Sequence, residues 1–486
     1  MATDEFASHG VLSPGDLPPC DTRPFADFVR PGLRFPAGPT PAPPLSPETG
    51  WFLVLAFVGL PLVFLPRSSF GGEAVFLWPK VAWLFAVIVP SAFLAVRGSG
   101  LRVRPLALPL GLVIWMLLAS SFHADPWRSI LGRSERLDGV LGHVGLLVAL
   151  AGGAALGARG LGSRLLSAVG AVGGLVGLGS VLQRFGIVRA LADQRQSFLL
   201  VDLPSSTIGN RGYAACFLAA TLPLALWRAA MPGSRRRWIV ASNISALAIG
   251  FGWSRGATLA AVVGVIVFIV ASVGHRRRAA AMALLAVVGL AVGTVFSDPG
   301  DGSSKARTFS ATDSGRTPLY RAAAQGISAH PFVGLGAGGV LRALSIAEPA
   351  DVLAWAGVRA TEVSRSARST PQLLVIDYTA VDGSRQQYLN ITTKVHNELV
   401  DYAVSYGLPA TLLAAATFLV ALWRSRANAA LVASLAAFAA GLLTWPQVMR
   451  TAPILWAFLG LALTASGIST TSRTPLRSSG RDVGRT

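Results

Sequence analysis

Apolar stretches recur along the chain from Trp51 almost to the C-terminus, broken by short polar segments. A helix needs about 20 apolar residues to cross a bilayer core. Runs of that order are predicted at 51–66, 73–96, 105–122, 139–158, 163–183, 209–229, 238–253, 256–274, 279–297, 398–423, 427–445 and 452–468. The pattern predicts an all-α fold, a polytopic transmembrane bundle of about 12 helices with one large extracytoplasmic loop containing short helices. Residues 1–48, rich in proline and without an apolar h-region, read as a disordered cytoplasmic tail rather than a signal peptide. The first nine helices then occupy 49–297, the large loop 298–397, helices ten to twelve 398–468, and a basic cytoplasmic tail 469–486.

Composition sharpens this picture. Charged residues make up 13% of the chain and hydrophobic ones 52%, where a soluble chain carries roughly a quarter charged. The net charge of +19 comes from arginines set in short clusters between apolar stretches, not on one basic face, so nucleic acid is not the expected partner. With a cytoplasmic N-terminus, Arg97/Arg102/Arg104, Arg159/Arg164, Arg235/Arg236/Arg237, Arg276/Arg277/Arg278, Arg424/Arg426 and the tail with Arg473 and Arg477 all fall inside. That agrees with the positive-inside bias and predicts an inner or plasma membrane protein with both termini cytoplasmic. Cys20 and Cys216 are the only cysteines, so neither a disulfide framework nor a thiolate metal site is expected.

Three longer segments fall outside in this topology, at 123–138, 184–208 and between Ser297 and Glu398. Loops as long as the last are usually functional or disordered. Its apolar patches, Val352-Leu353-Ala354-Trp355 and Leu373-Leu374-Val375-Ile376, predict a partly folded segment. Near its start lies Ser314-Gly315-Arg316-Thr317-Pro318-Leu319-Tyr320-Arg321. Thr317 as N-cap and Pro318 in the first turn make a helix start, and free N–H groups beside the Arg316 fork make a phosphate cradle. An amphipathic surface helix with solvated arginines fits the spacing equally. Gly334, Gly336, Gly338 and Gly339 lack the Lys-Ser/Thr of a P-loop.

Trp253-Ser254-Arg255-Gly256 is predicted as a tight turn on the outer side, where an arginine runs against the inside bias. A lipid-linked phosphate would satisfy it, as would snorkelling to ordinary headgroups. At Val395-His396-Asn397-Glu398-Leu399-Val400-Asp401-Tyr402 the chain re-enters the membrane. His396 there can accept or orient a proton near neutral pH, with Glu398 and Asp401 supporting it or marking a solvated helix end. Asn210-Arg211-Gly212-Tyr213 and the loop with Arg136 add outer charge, and both read first as interfacial helix ends. The sequence has no His-Glu-x-x-His, Cys-x-x-Cys or outer Asp-x-Asp, so no metal or other cofactor is expected.

In order along the chain, Ile208-Gly209-Asn210, Ser254-Arg255-Gly256, Ser314-Gly315-Arg316 through His330-Pro331-Phe332-Val333-Gly334-Leu335-Gly336, and His396-Asn397-Glu398 with Gly407 resemble the O-antigen ligase and O-antigen polymerase superfamily. These are membrane glycosyltransferases that use sugars carried on polyprenyl diphosphate. The resemblance spans roughly 120–465. It implies transfer of a glycan from undecaprenyl diphosphate to a glycan, lipid or protein acceptor on the extracytoplasmic side, with membrane lipid as solvent and no cofactor. Arg255 and Arg316 match the arginines that engage the donor diphosphate, and His396 the histidine that serves the acceptor hydroxyl. Arg211, Arg321, Arg136 and Glu398 are the further substrate-binding candidates. The chain departs from the family at Gly209-Asn210-Arg211-Gly212, where many relatives have Gly-Asn-Pro-Asn, and in the hydrophilic stretch Thr361–Thr370, which reads as an insertion. A transporter or flippase of lipid-linked oligosaccharide is the alternative, although no internal repeat is visible and charges lie mainly at span ends. A peptidoglycan-type glycan polymerase shares the donor but lacks the Arg316 and His396 matches.

Overall fold

The computed structural model describes residues 46–64, 74–97, 99–101, 103–133, 136–188, 204–231, 235–296, 316–356, 358–369, 373–390 and 394–465. The expectations for most of the N-terminal tail, for the whole C-terminal tail, and for Arg102, Ser134-Glu135 and Ser314-Gly315 lie outside them.

The chain opens with α1 (Pro47–Val58), α2 (Ala74–Trp83) and α3 (Val89–Val96), the last two joined by a π-helical turn over Leu84–Ile88. Pro90, in the first turn of α3, has no N–H to return to that turn, which is a sufficient local cause for the wider ring. There follow α4 (Ala107–Ser120), α5 (Pro126–Leu131), α6 (Val140–Ala158), α7 (Gly162–Arg184), α8 (Arg211–Ala230), α9 (Arg235–Phe251), α10 (Arg255–Ala271) and α11 (Arg276–Val295). By length and composition, six helical stretches among the described residues can cross a membrane: Phe76–Val96, Val140–Ala158, Gly162–Arg184, Arg211–Ala230, Val273–Val295 and Leu408–Ser425. Shorter apolar helices at Glu48–Val58, Arg104–Ser120, Arg255–Ala271, Ala429–Leu442 and Ala452–Thr464 coincide with further predicted runs.

Side chains on the bundle's outside are apolar, among them Phe93, Ile114, Leu118, Ile266, Val288 and Leu419. A surface of that kind suits hydrocarbon rather than water. Inside, Leu53, Phe57, Ile88, Met116, Leu146, Phe217, Trp456 and Phe458 belong to one continuous core.

The described residues between Arg316 and Tyr406 form a cap with its own core. It holds α12 (Thr317–Ala329), α13 (Gly339–Ile346), α14 (Pro349–Trp355), three strands, and α15 (Glu398–Tyr406). Leu319, Ala323, Val340, Leu344, Val352, Ile376, Val395 and Val404 pack together there. The strands correct the all-α expectation: β1 (Ala360–Arg365), β2 (Leu374–Ala380) and β3 (Arg385–Asn390) form an antiparallel sheet in the order β1-β2-β3. Ile376 pairs with Tyr388 and Asp377 with Gln387 across β2 and β3. A turn at Asp382-Gly383, with Gly383 at φ +83, closes that hairpin, the sequence signature for which was present. Within the stretch Thr361–Thr370, residues 361–365 are therefore strand β1 and 366–369 the turn after it.

The predicted span 398–423 is broken. Gly407 takes φ +83 and Pro409 lies in the first turn of the next helix, so α15 ends and α16 (Leu408–Ser425) starts in a new direction. Helix α15 thereby packs on both sides, with Val404 in the core of the cap and Tyr402 and Tyr406 in the core of the bundle. Helices α17 (Ala429–Leu442) and α18 (Ala452–Thr464) complete the chain.

Candidate functional site

The turn that carries His396 is held on both sides. The Val395 N–H donates to Asp401 Oδ1 at 2.8 Å, and Asn397 caps α15 by accepting from the N–H groups of Leu399 and Val400 at 3.1 and 3.3 Å. Between these anchors His396 adopts φ +65, a conformation that a residue with a Cβ rarely takes and that surrounding structure must impose. Its ring stands edge-on to Trp445, with centroids 5.3 Å apart at 78°. The His396 Nδ1 is buried without a hydrogen-bond partner among the described residues. Burial, then the positive charges of Arg316 and Arg136, push its pKa down to about 4, so the ring is a neutral base near pH 7.

Beneath this turn lies a buried charge cluster. Lys394 Nζ is 3.5 Å from Glu398 Oε1, and the other Glu398 oxygen accepts from the Gln447 N–H at 2.8 Å. Burial alone would lower the Lys394 ammonium, but Glu398, Asp401 and Asp138 outweigh it and hold it above the ordinary lysine value. Burial raises Asp401 against the opposing charge of Lys394. Glu398, predicted as a substrate contact, is 3% exposed and engaged on both oxygens. Its geometry is that of a cross-link between the His396 turn and the loop after α17.

The candidate arginines sit at helix starts around this turn. Arg316 occupies the capping position of α12, half-buried, and the helix begins at Thr317, one residue earlier than predicted. Arg136 lies in the turn before α6, and its charge reaches His396, Lys394 and Asp401. Arg255 is the first residue of α10, after Ser254, whose Oγ accepts from the Ala257 N–H at 3.4 Å and from the Trp445 Nε1–H at 2.8 Å. Arg211 is the first residue of α8, after Asn210, whose side chain accepts from the Gly212 and Tyr213 N–H groups at 2.9 and 3.3 Å. The Tyr213 ring meets Trp445 at 5.5 Å and 77°. Arg321 is exposed on α12, and no contact brings it to His396.

The segment His330–Gly336 has a mechanical place. His123 binds the Val333 carbonyl through Nε2 at 2.8 Å and Ser129 Oγ through Nδ1 at 2.9 Å, while Arg342 donates to the Leu335 carbonyl at 2.6 Å. The N–H groups of Leu335 and Gly336 donate to the carbonyls of Val404 and Ser405 in α15, both at 2.8 Å. A Cβ on Gly336, at φ +90, would stand 2.5 Å from Ser129 Oγ. These bonds dock the cap on the segment between α4 and α6 and thereby fix α15 under His396.

Sequence reading singled out each of these segments but missed Trp445, which joins the Arg211, Arg255 and His396 segments, and the cation Lys394. A tryptophan at the end of an apolar run carries no spacing signal, and Lys394 lies in a polar stretch without period. Among the described residues, no group of three His, Cys, Asp or Glu side chains is placed to hold a metal ion.

No curated protein matches the chain. Residues 240–363 match the family model described as O-antigen ligase, a segment that holds Arg255, Arg316 and Arg321 and stops before His396. Together with the order of its motifs, this match supports membership of the O-antigen ligase and polymerase family of membrane proteins.

Proposed function

We propose that the protein transfers a glycan from undecaprenyl diphosphate to an acceptor hydroxyl at the capped end of the bundle. The observation that carries this reading is a neutral, half-buried histidine held among arginines at helix starts, where His396 feels the charges of Arg316 and Arg136 and packs on the indole that bonds Ser254 beside Arg255. His396 takes the proton of the acceptor hydroxyl as its oxygen bonds to the anomeric carbon. The bond from that carbon to the diphosphate oxygen breaks from the opposite face, the electron pair leaves with the diphosphate, and the anomeric centre inverts. Arg255 and Arg316 stabilise the charge that grows on the leaving group, an electrostatic contribution that is large away from water. Arg211 and Arg136 widen the positive rim. Glu398 acts through the loop it holds and not by contact with substrate.

Sidedness follows from charge. Arg97, Arg159, Arg164, Arg424 and Arg426 gather at the end opposite the cap, which by the positive-inside bias faces the cytoplasm. The site then opens outward from a plasma or inner membrane, with both termini inside.

The test is release of undecaprenyl diphosphate from an undecaprenyl-diphosphate disaccharide by the purified protein in lipid, with candidate acceptors, for wild type, Arg316→Ala and His396→Ala. Each variant is expected to lose about 100-fold or more in turnover while remaining folded. Full turnover by a well-expressed Arg316→Ala would remove that residue from the mechanism. Donor movement across liposomes without turnover would replace the transferase with a transporter.

A further inference from the structure

We infer that Trp445 is a positioning residue, whose indole spaces the arginine-bearing starts of α8 and α10 and seats the His396 ring against them. This deepens the transferase reading and rests on it.

Four observations converge on the one side chain. The Nε1–H donates to Ser254 Oγ at 2.8 Å, and Ser254 caps α10 one residue before Arg255. A Cβ on Gly212, one residue after Arg211, would stand 2.4 Å from the indole Cζ2, so α8 can approach the ring only because it carries no side chain there. On α10, a Cβ on Gly256 would stand 3.1 Å from the indole Cδ1 and 2.1 Å from Thr444 Oγ1. The indole thus fills the gap between two helix starts, each beginning Arg-Gly. Its remaining edges meet Tyr213 and His396 in near-perpendicular contacts.

The loop that presents the indole is itself fixed. Two residues on, the Gln447 N–H donates to Glu398, and the Gln447 side-chain oxygen accepts from the Trp456 Nε1–H at 2.7 Å. Since Glu398 also binds Lys394 beside the His396 turn, the ring and the histidine are tied to one carboxylate. Displacement of the indole therefore changes two separations at once, arginine to arginine and arginine to histidine. A spacer of this kind acts on turnover more than on donor affinity, because misplacement of reacting groups by about 1 Å costs on the order of 100-fold in rate.

The experiment measures kcat, donor KM and the pH profile of transfer from an undecaprenyl-diphosphate disaccharide for Trp445→Ala, Trp445→Phe, Gly212→Ala and the double variant Trp445→Ala/Gly212→Ala. Trp445→Ala is expected to lower kcat about 100-fold with a smaller change in KM. It also moves the acid limb set by His396 up toward the ordinary histidine value, since water reaches the ring while Arg316 and Arg136 stay in place. Trp445→Phe keeps the ring and loses one hydrogen bond, so it costs about fivefold and leaves the limb where it was. Gly212→Ala slows the wild type but adds nothing to Trp445→Ala, because the atom it would meet is gone.

Wild-type kcat and an unmoved acid limb in Trp445→Ala, or additive losses in the double variant, would overturn the proposal. If Trp445→Ala does not fold, a loss of about fivefold in Trp445→Phe and a slowed Gly212→Ala uphold the proposal, and wild-type kcat in both overturns it. Loss of turnover in Arg316→Ala and His396→Ala with none in the tryptophan variants would sink the spacer alone. Retained turnover in all of them would sink the transferase reading with it.

Discussion

The two ends of the bundle use cations in opposite ways. At the arginine-rich end, guanidinium groups sit near the surface and donate to helix C-terminal carbonyls: Arg159 to Ala95, at 2.9 Å, and to Arg97, Arg424 to Leu463. Such bonds complement the negative end of a helix dipole and satisfy carbonyls that have no partner within the helix. At the capped end the charges are buried and cross-linked, with Lys394, Glu398 and Asp401 all under 8% exposed and the carboxylates tied to the backbone of Val395 and of Gln447. The first arrangement tolerates exchange among basic residues. The second specifies one geometry, because each buried charge depends on its neighbours for compensation.

Removal of the central cation is the sharpest way to break this contrast. Lys394→Met leaves Glu398 and Asp401 as buried carboxylates without their counter-ion, a change that costs about 3–5 kcal/mol in comparable pairs. We expect a clear fall in the thermal midpoint of the protein in detergent, together with loss of transfer as the His396 turn relaxes. A midpoint within a degree or two of wild type would mean that the cluster is solvated like the opposite end.

A second and smaller contrast is in pH. Held down to about 4 by burial and by the charges of Arg316 and Arg136, His396 is almost wholly in its base form from about pH 5 upward. Transfer at pH 5 should stay within about twofold of that at pH 7.5, whereas a histidine of ordinary pKa would lose about 30-fold over the same range. A profile that falls below about pH 6.5 would show that water reaches the ring.

What the sequence disclosed follows the strength of each physical constraint. Hydrocarbon demands long apolar runs, so α6 over Val140–Ala158 and α7 over Gly162–Arg184 lie within a residue of the runs predicted at 139–158 and 163–183. The cap has no such constraint. Its strands expose Glu362, Ser364 and Gln387 on a polar face, and only Asp382-Gly383 announced the hairpin that the all-α expectation passed over. The break at Gly407 was hidden because α15 continues the apolar composition of α16 and shares the bundle core with it through Tyr402 and Tyr406. For the site, linear motifs marked Arg211, Arg255, Arg316 and His396 singly. Trp445, which touches the starts of α8 and α10 and the His396 ring, has no pattern of its own, so only the folded arrangement shows it.

The smallest predicted effect belongs to the arginine-rich end. Arg426 lies over the exposed Trp423 ring at 3.8 Å, near the C-terminus of α16. An exposed cation–π pair of this kind is worth about 0.5–1 kcal/mol, and screening by salt reduces it further. Arg426→Met keeps an unbranched apolar stem on the ring and removes only the charge. Its thermal midpoint should therefore fall by no more than a few degrees, its transfer rate should match wild type, and added salt should shrink the remaining difference. Arg424 stays in place to bias the loop's orientation, so the topology read by protease or cysteine labelling should not change. A loss comparable to that of Lys394→Met would mean that the two ends are equally specified, and that the cross-linked geometry around His396 is not what separates the site from the rest of the bundle.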